Sequence, residues 1–96
     1  MYENFIIIIL LLSDVEDPVI SNIPATILST TDPGKPFGTV QWEEPSANDN
    51  SESVRLTADY NPGDPFPIGD TEVTYTAIDQ SGNNVTAMFH LLVTGK

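Results

Sequence analysis

The sequence contains no cysteine, which removes any disulfide framework, thiol nucleophile or cysteine-ligated zinc and leaves the redox compartment open. Positive charge is scarce: three Lys or Arg (Lys35, Arg55 and Lys96) stand against fourteen Asp or Glu, for a formal net charge of −11. Phosphate backbones bind clustered cations, so nucleic acid and anionic membrane surfaces are poor partners for these scattered ones. The single histidine, His90, would have to be the base of any hydrolytic site, and such a site also needs a nucleophile and an orienting group. Helical i, i+3, i+4 spacing is nowhere sustained over three turns. Long hydrophobic runs are also missing. The apolar stretch from Phe5 to Leu12 would rise about 12 Å as a helix against a hydrocarbon core of about 30 Å. It has the length of a signal-peptide h-region, yet Glu3 replaces the usual basic n-region, and Leu11 and Ser13 make a weak cleavage site. A leader, a truncated leader, a misplaced start and a tag-like extension all fit, and residues 1–13 are set aside from the fold.

The remainder, residues 14–96, is short enough to be one domain. Its most organised stretch runs from Pro65 to Val93. Val73, Tyr75 and Ala77 alternate with Glu72, Thr74 and Thr76, the period of a half-buried strand. Asp79-Gln80-Ser81-Gly82-Asn83 then turns the chain. A second strand places Val85, Ala87, Phe89, Leu91 and Val93 on one face and Thr86, Met88, His90 and Leu92 on the other. Together they predict a β-hairpin with one continuous apolar face. Upstream, residues 14–18 read as an acidic linker, and the alternation of Ile23, Ala25 and Ile27 as a strand that its prolines confine to a sheet edge. Pro33 and Gly34 mark a turn. The spacing predicts strands over residues 37–42, with Val40 and Trp42 on one face, and over residues 54–60. The polar stretch 43–53 reads as a loop. The proline-rich stretch 61–67 reads as a non-strand crossover, with Phe66 and Ile68 plugging the end of the core. Short strands with turn chemistry between them point to an all-β protein, an antiparallel β-sandwich.

These residues resemble a known family. Pro18-Val19-Ile20, Thr31-Asp32-Pro33-Gly34, Val40-x-Trp42-x-x-Pro45, Ala47-Asn48-Asp49-Asn50, Phe66-Pro67-Ile68-Gly69, and Thr71 through Asn83 followed by Phe89 are similar to the hyalin repeat (HYR) domain. That family is an immunoglobulin-like module of secreted and cell-surface proteins. The resemblance covers residues 14–95 and implies an immunoglobulin-like sandwich of about seven strands. It also implies an extracellular or cell-surface location, and a non-enzymatic adhesion or matrix role with extracellular proteins or neighbouring repeats as partners. Two alternatives accompany it: a structural spacer from a tandem array, and a calcium-dependent binding module. The family usually carries a cysteine pair where this chain has Ile23 and Ala87, so an apolar contact is expected in place of the bridge.

Four residues have the oxygen chemistry that calcium takes: Asp49, Asn50, Asp79 and Asn83. They lack the Asp-x-Asp-x-Asp-Gly pattern of an EF-hand, and Asp in such loops more often accepts bonds from its own backbone. No other cofactor is expected. By parity His90 is a surface histidine on the outer face of the last strand. Tyr75 matches the tyrosine that anchors a loop through its hydroxyl in immunoglobulin-like folds, and Trp42 the core tryptophan. Asn84-Val85-Thr86 is an N-glycosylation acceptor triplet at the start of the last strand.

Overall fold

A computed structural model describes residues 17–49 and 53–95; the apolar stretch 1–13 and Asn50 lie outside them. The described residues form eight strands and no helix: β1 (Val19–Ser21), β2 (Ile27–Thr30), β3 (Phe37–Thr39), β4 (Ser46–Asn48), β5 (Val54–Ala58), β6 (Pro65–Pro67), β7 (Gly69–Asp79) and β8 (Asn84–Thr94). They build a four-stranded sheet of order β2-β8-β7-β5 and two small sheets, β1-β4 and β3-β6.

The predicted hairpin is β7 and β8, paired antiparallel from Gly69↔Val93 to Ile78↔Asn84. Val73, Tyr75, Ala77, Phe89, Leu91 and Val93 are all buried, while Thr86, Met88, His90 and Leu92 lie on the exposed face. Edge strand β5 joins β7 antiparallel, with Val54, Leu56 and Ala58 half-buried and Arg55 and Thr57 exposed. Beyond its last pair, Asp59 continues the ladder: its N–H donates to the Thr74 carbonyl (3.2 Å) and its Oδ1 accepts the Thr74 N–H (2.9 Å).

The described residues are all-β as expected, and their eight strands are close to the expected seven, but the antiparallel arrangement needs correction. β2 is an edge strand of the large sheet, but Pro24 lies before it rather than within it, and it runs parallel to β8, from Ile27↔Leu91 to Thr30↔Thr94. The large sheet is therefore mixed. β2 begins at Ile27, leaving Ile23 and Ala25 outside it. The predicted loop 43–53 holds β4, which pairs with β1 through Val19↔Asn48 and Ser21↔Ser46. The proline-rich crossover holds β6, paired with β3. Pro65 and Pro67 are tolerated there because β6 is an edge strand of three residues, and both rings are exposed on either side of buried Phe66. Ile68 does not plug the core: it is 57% exposed.

Val40, Phe66, Val73, Tyr75, Phe89, Leu91 and Val93 form the core. Ile20, Ile23, Ile27, Trp42, Leu56, Ala58 and Tyr60 pack against it. The inner face of the large sheet is thus covered by side chains that the two small sheets and their connections supply. Each fully buried side chain of this size stabilises the fold by about 1.5–3 kcal/mol through transfer from water. The cover sits close. A Cβ added to Gly38 would stand 2.6 Å from the Thr30 carbonyl oxygen and 3.3 Å from Val93 Cγ1, so only glycine lets β3 approach β2 and β8 this nearly. In the 32–35 turn, Lys35 N–H donates to the Asp32 carbonyl (3.0 Å) with Gly34 at φ 72°, the left-handed position that follows proline in a type II turn.

Candidate functional site

Four neighbourhoods hold the residues with chemistry to offer. The first links cover and sheet. Trp42 Nε1–H donates to the Tyr75 hydroxyl, which donates in turn to Glu44 Oε1, both at 2.8 Å. Trp42 meets Phe89 edge-on at 5.3 Å between centroids and Phe66 at 5.9 Å, separations at which aromatic pairs attract beyond their buried area. Tyr75 therefore anchors the 43–45 segment through its hydroxyl. Burial pushes that hydroxyl above its ordinary pKa, the Trp42 bond acts against the rise, and Glu44 adds to it. This relay is structural: Tyr75 is buried and its oxygen is spent on two neighbours. The partner Glu44 was not singled out from the sequence. Its signal was an acidic side chain two residues after the tryptophan.

The second neighbourhood is the hairpin turn. Gly82 N–H donates to the Asp79 carbonyl (3.2 Å), Asp79 N–H donates to the Asn83 carbonyl (3.0 Å), and Gly82 sits at φ 94°. That is a three-residue loop closed by a glycine bulge. Asp79 Oδ1 accepts the N–H groups of Ser81 (3.0 Å) and Asn83 (2.8 Å), and its Oδ2 accepts Asn83 Nδ2–H (3.1 Å). Desolvation raises the Asp79 pKa, but hydrogen bonds from Asn83, Asp49 and Ser81 outweigh it and hold the carboxyl below the ordinary value. Of the four calcium candidates, Asp49, Asp79 and Asn83 are thus brought together, and Asn50 lies outside the described residues. Asp79 spends its oxygens chiefly on its own turn. Among the described residues, no group of three or more His, Asp or Glu is arranged to hold a metal ion.

The third is the outer face of the large sheet. His90 is exposed there, with Nδ1 3.1 Å from Asp70 Oδ1 and Nε2 3.9 Å from Glu72 Oε2. Glu72 is its direct cross-strand partner. Leu28, Met88 and Leu92 share this exposed face, and Leu28 and Leu92 are direct neighbours across the parallel pair. The fourth is Asn84, exposed at the first position of β8 and opposite Ile78.

The HYR domain family matches residues 13–93, nearly all of the described chain. The chain belongs to the HYR domain family. Similar proteins agree. This HYR chain is 43% identical over 76 residues to hyalin of Lytechinus variegatus, covering 77% of the chain and 14% of that protein. It is 44% identical over 71 residues to hyalin of Strongylocentrotus purpuratus, covering 73% of the chain and 6% of that protein. It is also 39% identical over 87 residues to the Mus musculus protein named sushi, von Willebrand factor type A, EGF and pentraxin domain-containing protein 1. That alignment covers 85% of the chain but spans only 2% of the mouse protein's length.

Ile23 and Ala87 are the two positions at which the resemblance implies a cysteine pair. Ile23 is half-buried and packs against the core, while Ala87 is half-buried on the inward face of β8, opposite Tyr75.

Proposed function

We propose that this HYR domain is a non-enzymatic extracellular module that makes protein–protein contacts in adhesion or matrix assembly, presenting its loops and the outer face of its large sheet. The observation that carries the reading is the family match over residues 13–93, joined by relatives of which the chain spans only a small part. The outer sheet face supports it: Leu28, Met88 and Leu92 are exposed among Asp70, Glu72 and His90, a mixture suited to contact with another protein. His90 lies beside two exposed carboxylates, Asp70 and Glu72, which makes this face polar and charged as well as apolar. The two small sheets and the large one are read as the two layers of an immunoglobulin-like sandwich, with Ile23 and Ala87 facing each other where relatives place their bridge.

The test is attachment. Cells are expected to adhere to a surface coated with the chain and to adhere less to a Leu28→Ser, Met88→Ser, Leu92→Ser variant of unchanged fold. Equal attachment to both proteins sinks the outer-face reading. No attachment to either leaves the module as a spacer between neighbours. A calcium-dependent role for Asp49, Asn50, Asp79 and Asn83 is kept as a second reading because the carboxyls of Asp49 and Asp79 lie within hydrogen-bonding reach. It requires millimolar calcium to raise the melting temperature, and an unchanged melt removes it.

A further inference from the structure

The acceptor triplet Asn84-Val85-Thr86 is the only Asn-x-Ser/Thr sequence in the chain. Whether such a triplet can carry a glycan in the folded protein depends on strand parity. Asn84 and Thr86 are exposed on the outer face of β8, while the intervening Val85 points toward the core side. A shift of one residue would turn an oligosaccharide into the core. Here it projects away from every other layer of the fold.

The surroundings are equally particular. Asn84 stands directly across from Ile78, and Ile78 directly across from Arg55, so the three form one row over β8, β7 and β5. Neighbours in such a row sit about 5 Å apart at Cβ. Ile78 is the apolar member of the row and is 40% exposed. It lies in a shallow depression of about 430 Å³ that Ser53, Val54, Arg55, Asp79 and Gln80 also line.

We infer that Asn84 is an N-glycosylation site whose first sugars lie across Ile78 toward Arg55. The transfer balances without redox chemistry. Asn84 Nδ2 forms a bond to C1 of the first N-acetylglucosamine of a polyprenyl-diphosphate-linked oligosaccharide. The bond from C1 to the phosphate oxygen breaks, the diphosphate leaves with the electron pair, and the amide gives up one proton. The apolar C–H face of the sugar then covers Ile78, and its hydroxyl and acetamido oxygens come within reach of the Arg55 guanidinium, a donor-only group.

The inference rests on the extracellular reading above, so the experiment separates the two. The chain is expressed in a eukaryotic host behind a cleavable secretion signal, which supplies passage through the secretory pathway whatever its native location. Intact mass is then measured before and after peptide-N-glycosidase treatment. One glycan is expected, and none on Asn84→Gln or Thr86→Ala. A secreted chain with Asn84 bare overturns the site and leaves the extracellular reading untouched. The melting temperature of the glycosylated chain is expected to fall on enzymatic removal of the glycan. That fall should shrink or vanish in Ile78→Ser, which remains glycosylated. An equal fall in both proteins overturns the contact with Ile78.

Discussion

The β7–β8 hairpin and the layer that covers it stay in place by different means. The hairpin is two strands of eleven residues each in continuous register, and its inward positions are apolar from Val73 to Ala77 and from Val85 to Val93. The cover consists of strands of three residues, β1, β3, β4 and β6, too short to persist by their own ladders. It depends on single points: Phe66 in the core, Gly38 against Thr30, Trp42 and Glu44 on the Tyr75 hydroxyl, and Asp32 accepting from both the backbone and side chain of Thr39. A repetitive element spreads its stability over many equal contacts. A punctuated one concentrates it, so single substitutions in the cover should be felt out of proportion to its size.

The largest break in this contrast should be Phe66→Ala. Phe66 is fully buried in a three-residue strand, and removing it should cost about 3–5 kcal/mol by denaturant unfolding. A loss under 1 kcal/mol would mean the cover does not depend on it. Second is a gain. Ile23→Cys with Ala87→Cys should close a disulfide that stabilises the oxidised domain by about 2–4 kcal/mol, reversed by reductant. Failure of the bridge to form would place the two positions too far apart and end the sandwich reading with them. Third, Gly38→Ala should cost about 1–3 kcal/mol through overpacking. The added methyl meets a backbone carbonyl, which cannot swing aside. Fourth, Tyr75→Phe should cost about 1–2 kcal/mol, because it leaves Trp42 Nε1–H and Glu44 without their shared hydroxyl.

The smallest effect is in acid. The carboxyls of Asp79 and Asp32 are both held below their ordinary pKa. A carboxyl depressed in the folded state stabilises the fold above its unfolded pKa, near 3.9, and loses that contribution as pH falls through the lower folded value. Thermal melts should therefore decline on acidification below about pH 4. Asp79→Asn should flatten that decline, and an unchanged slope would show that the turn contributes nothing to it.

The same contrast explains what the sequence disclosed. Period-two alternation made β7, β8 and β5 legible, together with the burial of Tyr75 and Phe89 and the exposure of His90 and Met88. The turn at Asp79 was legible because Asp, Gly and Asn at these spacings do one thing well. β4 was not, since Ser46-Ala47-Asn48 carries no alternation and acquires its extended form from β1, more than twenty residues away. β6 was concealed by its prolines, which forbid a strand interior and permit an edge. The direction of β2 follows from a partner more than sixty residues downstream, which no local pattern specifies. Tyr75 was expected to tether a loop, but its link to Glu44 needed the fold. The placement of Asp49 beside Asp79 likewise became visible only through the approach of two distant loops.

The parallel pairing of β2 with β8 has a mechanical consequence. An early strand and the last one lie side by side and point the same way, so tension drawing the two ends of the chain apart pulls these neighbours past each other along their common axis. Their cross-links then bear the load together instead of opening in succession. For a unit strung in line with others, that orientation resists extension.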